Sequence, residues 1–228
     1  MFKLLEQKLL KSNFGVQFRM LKKDKDKILK NLYFLKSFGY RYIDNIDISS
    51  LNFIDESNKI DSAYIKNCNL CDLSKSCKEK IPYLGDKNSN AILISTAPIV
   101  NNNELDLLKK MVQNVLKIPF NSLYFLHIIK CNVDNISKIS NEHINICKKY
   151  IEAQLDTSDA KLIITLGDSY NILTNDKTAV ANIRGRVLKY KNKDLIAIYH
   201  PDFLLRNPSF KKDSFYDLKK IKSVLERV

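Results

Sequence analysis

AILISTA at residues 91–97 is a short, almost unbroken apolar run, and three more follow: SLYFLHIIK at 122–130, KLIITLG at 161–167 and DLIAIYH at 194–200. Runs of this length without polar alternation suit strands buried on both faces. Between them the spacing turns helical. Leu108, Met111, Val112 and Val115 precede Pro119, and Ile144, Cys147, Ile151 and Leu155 precede a polar Thr157-Ser158-Asp159 turn. Strand, helix, strand in succession predicts an α/β fold with a parallel sheet. A last helix is expected over 212–227, with Phe215, Leu218, Ile221 and Leu225 on the face that closes one side of the sheet. Open α/β sheets place ligands at the carboxyl ends of their strands, so function is expected in the loops after residues 97, 130, 167 and 200.

Upstream, residues 24–38 read as a helix with Ile28, Leu32 and Leu35 at spacings of four and three, stopped by Gly39. The stretch YRYIDNIDISSLNFIDESNK keeps no single period and reads as a connection. Residues 1–60 are therefore expected to be a helical extension and 61–228 the principal domain. With 228 residues, 45% of them hydrophobic, the chain is long enough to bury a sizeable core. No run approaches the roughly 18 apolar residues of a membrane span, and MFKLLEQKLLKSNFG lacks a cleavable apolar leader, which predicts a soluble cytoplasmic protein.

The formal charge of +13 favours a polyanionic partner, with nucleic acid foremost, because Lys and Arg on phosphates release condensed counterions. The alternative is a solvated lysine-rich surface. Only five glycines are present, so backbone can approach a ligand closely in few places.

Four of the five cysteines follow the spacing C-x2-C-x59-C-x15-C: Cys68, Cys71, Cys131 and Cys147. Cys131 ends a predicted strand and Cys147 lies in the next helix, so both can return towards the loop of Cys68 and Cys71. Four thiolates can hold one [4Fe-4S] cubane, and zinc on four cysteines is the chemical alternative. Disulfides are disfavoured by the expected compartment and the odd count, and Cys77 reads as a structural thiol.

Taken in order, NCNLCDLSKSC, LISTAP, FLHIIKC, ICKKYIEAQL, LIITLGDS, IRGRV and YHPDFLLRNP resemble the iron-sulfur uracil-DNA glycosylases of family 4 across residues 60–228. The resemblance implies a three-layer α-β-α sandwich around a four-stranded, mainly parallel sheet. It also implies a monomer that acts on DNA, single-stranded or uracil-containing. His200, in a segment similar to that family's HPSxLLR motif, inherits the donor that meets negative charge on the departing base. Leu204 or Leu205 inherits a wedge into the base stack, though both also read as core. Arg206 and Lys211 inherit phosphate contacts, and Arg184 and Arg186 flank a Gly185 similar to the family's RG motif.

The chain also departs from the pattern. Where the family reads GEAPGxxED, this sequence has Ser95-Thr96-Ala97-Pro98-Ile99-Val100-Asn101-Asn102-Asn103, without glycine or carboxylate. Thr96, Ala97 and Pro98 are left to line the base, and Asn102, Asn103 or Glu104 to place water. A segment that supplies a stacking phenylalanine has no counterpart, and His127 stands where the family reads the uracil edge with asparagine. Two functions follow: a glycosylase, slow or redirected to another base, or a non-catalytic iron-sulfur protein that binds DNA or a partner.

Overall fold

The computed structural model describes residues 62–133 and 136–227. The chain divides into two units, Met1–Asp61 and Ser62–Val228. The helix expected over 24–38 lies outside the described residues.

The four apolar runs form β2 (Ala91–Ser95), β3 (Tyr124–His127), β4 (Leu162–Leu166) and β6 (Lys193–Ile198), all parallel to their neighbours in the order β3-β2-β4-β6. Register is set residue against residue, with Ile94 opposite both Leu126 and Thr165. The sheet is wider than the four strands expected. Two short antiparallel strands, β1 (Leu84–Gly85) on β3 and β5 (Leu188–Tyr190) on β6, bring it to six. Neither edge strand has a buried residue, so neither carries the apolar run by which the others are read.

Each central strand sends alternate side chains to opposite faces, as the pleat requires. Ala91, Leu93, Phe125, Ile164, Ile196 and Ile198 join one core with α3 (Asn102–Lys110), the π-helical turn Met111–Leu116 and α8 (Lys211–Leu225). Ile92, Ile94, Leu126, Ile163, Leu195 and Ala197 join the other with α4 (Asn141–Asp156), α5 (Ser169–Thr174) and α6 (Val180–Ile183). This is the three-layer sandwich expected. Helix α8 departs in one detail: Phe215 is 41% exposed, lying away from the buried Ser214, Asp217, Leu218 and Ile221 stripe.

Two shorter helices, α1 (Ser62–Lys66) and α2 (Leu73–Ser76), flank Cys68 and Cys71, and α7 (Pro201–Arg206) follows β6. No helix among the described residues is long and apolar enough to cross a membrane.

Candidate active site and cysteine centre

Strand β2 lies between β3 and β4, so the chain winds away in both directions from its carboxyl end, the position at which open α/β sheets form a crevice. A cleft of about 1180 Å³ opens there, walled by the loops after β2, β4 and β6 and by the starts of α3 and α7. Thr96, Glu104, Gly167, His200, Phe203 and Arg206 are among its lining residues.

His200 caps α7, with Pro201 at the first helical position, and its Nδ1 accepts the Asp202 amide at 3.2 Å. Burial lowers its pKa, against opposing pulls from Asp202 and Asp168 and with a smaller push from Arg206, so the imidazole is neutral at pH 7. With Nδ1 accepting, the ring proton sits on Nε2. Gly167 makes the close approach possible: its φ is +56°, and a Cβ there would stand 3.1 Å from the His200 Cβ. Beside His200, Tyr199 stacks on Phe203 at 4.6 Å and meets Phe210 edge-on at 5.4 Å. All three rings line the cleft.

The expected site residues divide. His200, Thr96, Glu104 and Arg206 lie in the cleft. Glu104 is half-buried, and its carboxyl is pushed up by that burial and by Asp202, against a pull from Arg206. Asn102 and Asn103 are exposed on the first turn of α3 and do not line the cleft, because Asn101 caps the helix by accepting the Asn103 amide at 2.9 Å. Ala97 and Pro98 are buried, Ala97 against the cysteine cluster. His127, expected on the base, is sealed in the core. Its Nδ1 meets the Ser95 hydroxyl at 2.7 Å and its ring packs edge-on to Phe125 at 4.5 Å. Burial, and then the charge of Lys130, depress its pKa to about 3, and its Nε2 has no partner.

Leu204, one of the two expected wedges, belongs to the core between α7 and the sheet, whereas Leu205 is 36% exposed. Arg184 is not a free phosphate ligand: it pairs with Asp217 at 2.7 Å and Asp213 at 3.0 Å on α8 and lies over the Tyr199 ring. Gly185, at φ +66°, leaves room for that pair, since a Cβ would fall 2.2 Å from Asp217 Oδ1. Arg186 and Lys211 are exposed, and Arg206 pairs with Asp202 four residues earlier. Lys177 and Asp168 line the cleft and were not singled out from sequence. Asp168 follows Leu166-Gly167 in one of the quoted runs, the only signal that pointed to it.

The cysteines come together at the far end of β3. Residues 78–81 pair with 130–132 through backbone bonds that include Ile81 N–H to Lys130 O at 2.7 Å. Asp72, between the first two cysteines' loop and α2, receives His143 Nε2 from α4 at 2.5 Å. Cys131 and Cys147 are buried in one cluster with Leu73, Ala97 and Ile129, against which Cys71 and Cys77 pack. Burial raises the thiol pKa of Cys147 to about 11, aided by Cys71 and Cys68 and opposed by Lys130. All five are free thiols. Among the described residues no three metal-binding side chains are drawn together as ligands of one ion.

A family model described as the uracil DNA glycosylase superfamily matches residues 82–219. A type-4 uracil-DNA glycosylase of Sulfurisphaera tokodaii is 25% identical over 189 residues, covering 75% of this chain and 86% of that protein. Those of Archaeoglobus fulgidus and Thermotoga maritima are 24% and 21% identical, covering 69% and 76% of this chain and 87% and 97% of theirs. The matched span takes in all six strands, Gly167 and His200, and with them the cleft at the switch point: the chain belongs to the uracil DNA glycosylase superfamily.

Proposed function

We propose that the protein is a DNA glycosylase that hydrolyses the N-glycosidic bond of uracil or another damaged base. His200 carries this reading. It is a neutral imidazole at the end of β6, its Nδ1 held by the Asp202 amide and its Nε2–H left as the donor for the cleft. A fixed donor at the atom where charge grows on the departing base favours the transition state over the substrate. Phe203 and Phe210 offer an apolar wall in place of the missing stacking segment. Arg186, Lys211 and Lys177 are exposed cations for phosphates, and Leu205 is the exposed apolar side chain available to fill the stack a flipped base vacates.

Uracil-containing single-stranded and mismatched oligonucleotides, incubated with stoichiometric protein and then cleaved at abasic sites, test the reading. His200→Ala is expected to lower the single-turnover rate by roughly 10²- to 10³-fold with DNA affinity retained. Absence of abasic product from the native protein supports the second reading, a non-catalytic DNA- or partner-binding protein. The observation on that side is that Asn102 and Asn103 lie outside the cleft and His127 is sealed from it.

We also propose that Cys68, Cys71, Cys131 and Cys147 hold a [4Fe-4S] cluster. The donor set fits: four free thiols, three of them buried, on segments tied together by the 78–81 pairing and the Asp72–His143 contact. Zinc on the same four cysteines is the chemical alternative. Bound there, the cluster would supply iron–sulfur bonds tying the segment after β3 to α4 and to the loop before α2. Anaerobically isolated protein is expected to be brown and to contain iron and sulfide; colourless protein with zinc overturns the assignment.

A further inference from the structure

Hydrolysis of an N-glycosidic bond asks for more than a donor on the departing base. A water has to be held at C1′, and the positive charge growing on the sugar has to be met. We propose that the Asp168 carboxylate does both, as the catalytic base of this cleft; the proposal rests on the glycosylase reading.

Position comes first. Gly167 abuts His200, where a Cβ would stand 3.1 Å from the His200 Cβ, and the next residue, Asp168, also lines the cleft. Asp168 occupies the N-cap of α5, where an aspartate ordinarily accepts a backbone amide, yet its side chain makes no capping bond. It is exposed, and among the described residues its carboxylate has no hydrogen bond or ion pair.

Two of the other carboxylates of the cleft are committed. Asp202 is held by Arg206. Asp176 accepts the Tyr170 hydroxyl at 2.7 Å and both the amide and hydroxyl of Thr178. Glu104 is half-buried at the start of α3, its carboxyl pushed up by that burial and then by Asp202, against a pull from Arg206. Asp168 is the uncommitted acceptor, and it lies near enough to His200 for its charge to act on the imidazole. The two groups divide the reaction between them. As the C1′–N bond breaks, its electron pair leaves on the base, which the His200 Nε2–H meets. Water oxygen bonds to C1′ and gives its proton to Asp168, which passes it to solvent or to the released base.

Single-turnover excision by Asp168→Asn and Asp168→Glu, with DNA affinity and thermal melting measured on the same preparations, tests the assignment. Asp168→Asn is expected to lose on the order of 10²- to 10⁴-fold in rate. Melting should be unchanged and DNA binding equal or tighter, since one negative charge is removed. Asp168→Glu should recover part of the rate. Asp168→Asn within about threefold of the native rate overturns the assignment and leaves the glycosylase reading standing. Native protein that releases no base overturns both.

Discussion

His127 shows how burial redirects a side chain. Fully enclosed, it stays neutral down to about pH 3, whereas in the unfolded chain it takes up a proton near pH 6.5. Between those values the unfolded state binds more protons, so stability falls as pH is lowered through that window, with a slope approaching about 1.4 kcal/mol per unit. Urea unfolding at pH 7 and pH 5 should register the loss, and His127→Gln should remove this share of it. Leu204 and Leu205 make the same point with apolar side chains. Leu204→Ala is expected to cost about 2–5 kcal/mol in urea unfolding, as core leucines do, and Leu205→Ala under about 1 kcal/mol while weakening binding to DNA carrying an extruded base. The sequence named all three residues but could not assign their sides. Adjacent leucines in the last turn of a short helix carry equal hydrophobicity, and only packing decides which one faces the sheet.

Among the elements, the βα turns do the positioning. The turn after β4 needs Gly167 in the left-handed region, and its missing side chain sets the distance to His200. Gly167→Ala is expected to cost roughly 1–2 kcal/mol from the backbone alone and to lower excision further by displacing the imidazole, which separate melting and single-turnover measurements distinguish. Helix α4 is fixed at its start by the Ser140–His143 capping box, and the same His143 reaches Asp72, so one residue ends a cap and ties the cysteine segments together. His143→Ala should therefore speed bleaching of the iron chromophore by a chelator, by about tenfold, while leaving the rest of the fold intact. These elements were legible from spacing: α4 spans the expected Ile144–Leu155 stripe, and α8 begins within a residue of its predicted start. The Asp72–His143 contact was not legible, because the two residues are 71 apart and no local pattern joins them.

Over the whole molecule, a charge of +13 is set against a cleft that holds Glu104, Asp168, Asp176 and Asp202. Phosphates are expected to meet the exposed cations Lys177, Arg186 and Lys211, leaving the cleft's carboxylates to the sugar and base. Affinity for single-stranded DNA should then fall with salt at a log–log slope of roughly −0.7 for each phosphate contacted, and Arg186→Ala should flatten the slope by about one contact. By itself the sequence determined the α/β class, the four parallel strands, the cysteine spacing and the place of His200, because apolar period and strand-end position are local properties of a chain. The tertiary structure alone decided that the sheet has six strands, that His127, Leu204 and Arg184 turn away from the cleft, and that Asp168 turns into it. Those outcomes depend on which side chains the other walls already occupy. Residues far apart in the chain build those walls, and a single segment does not record them.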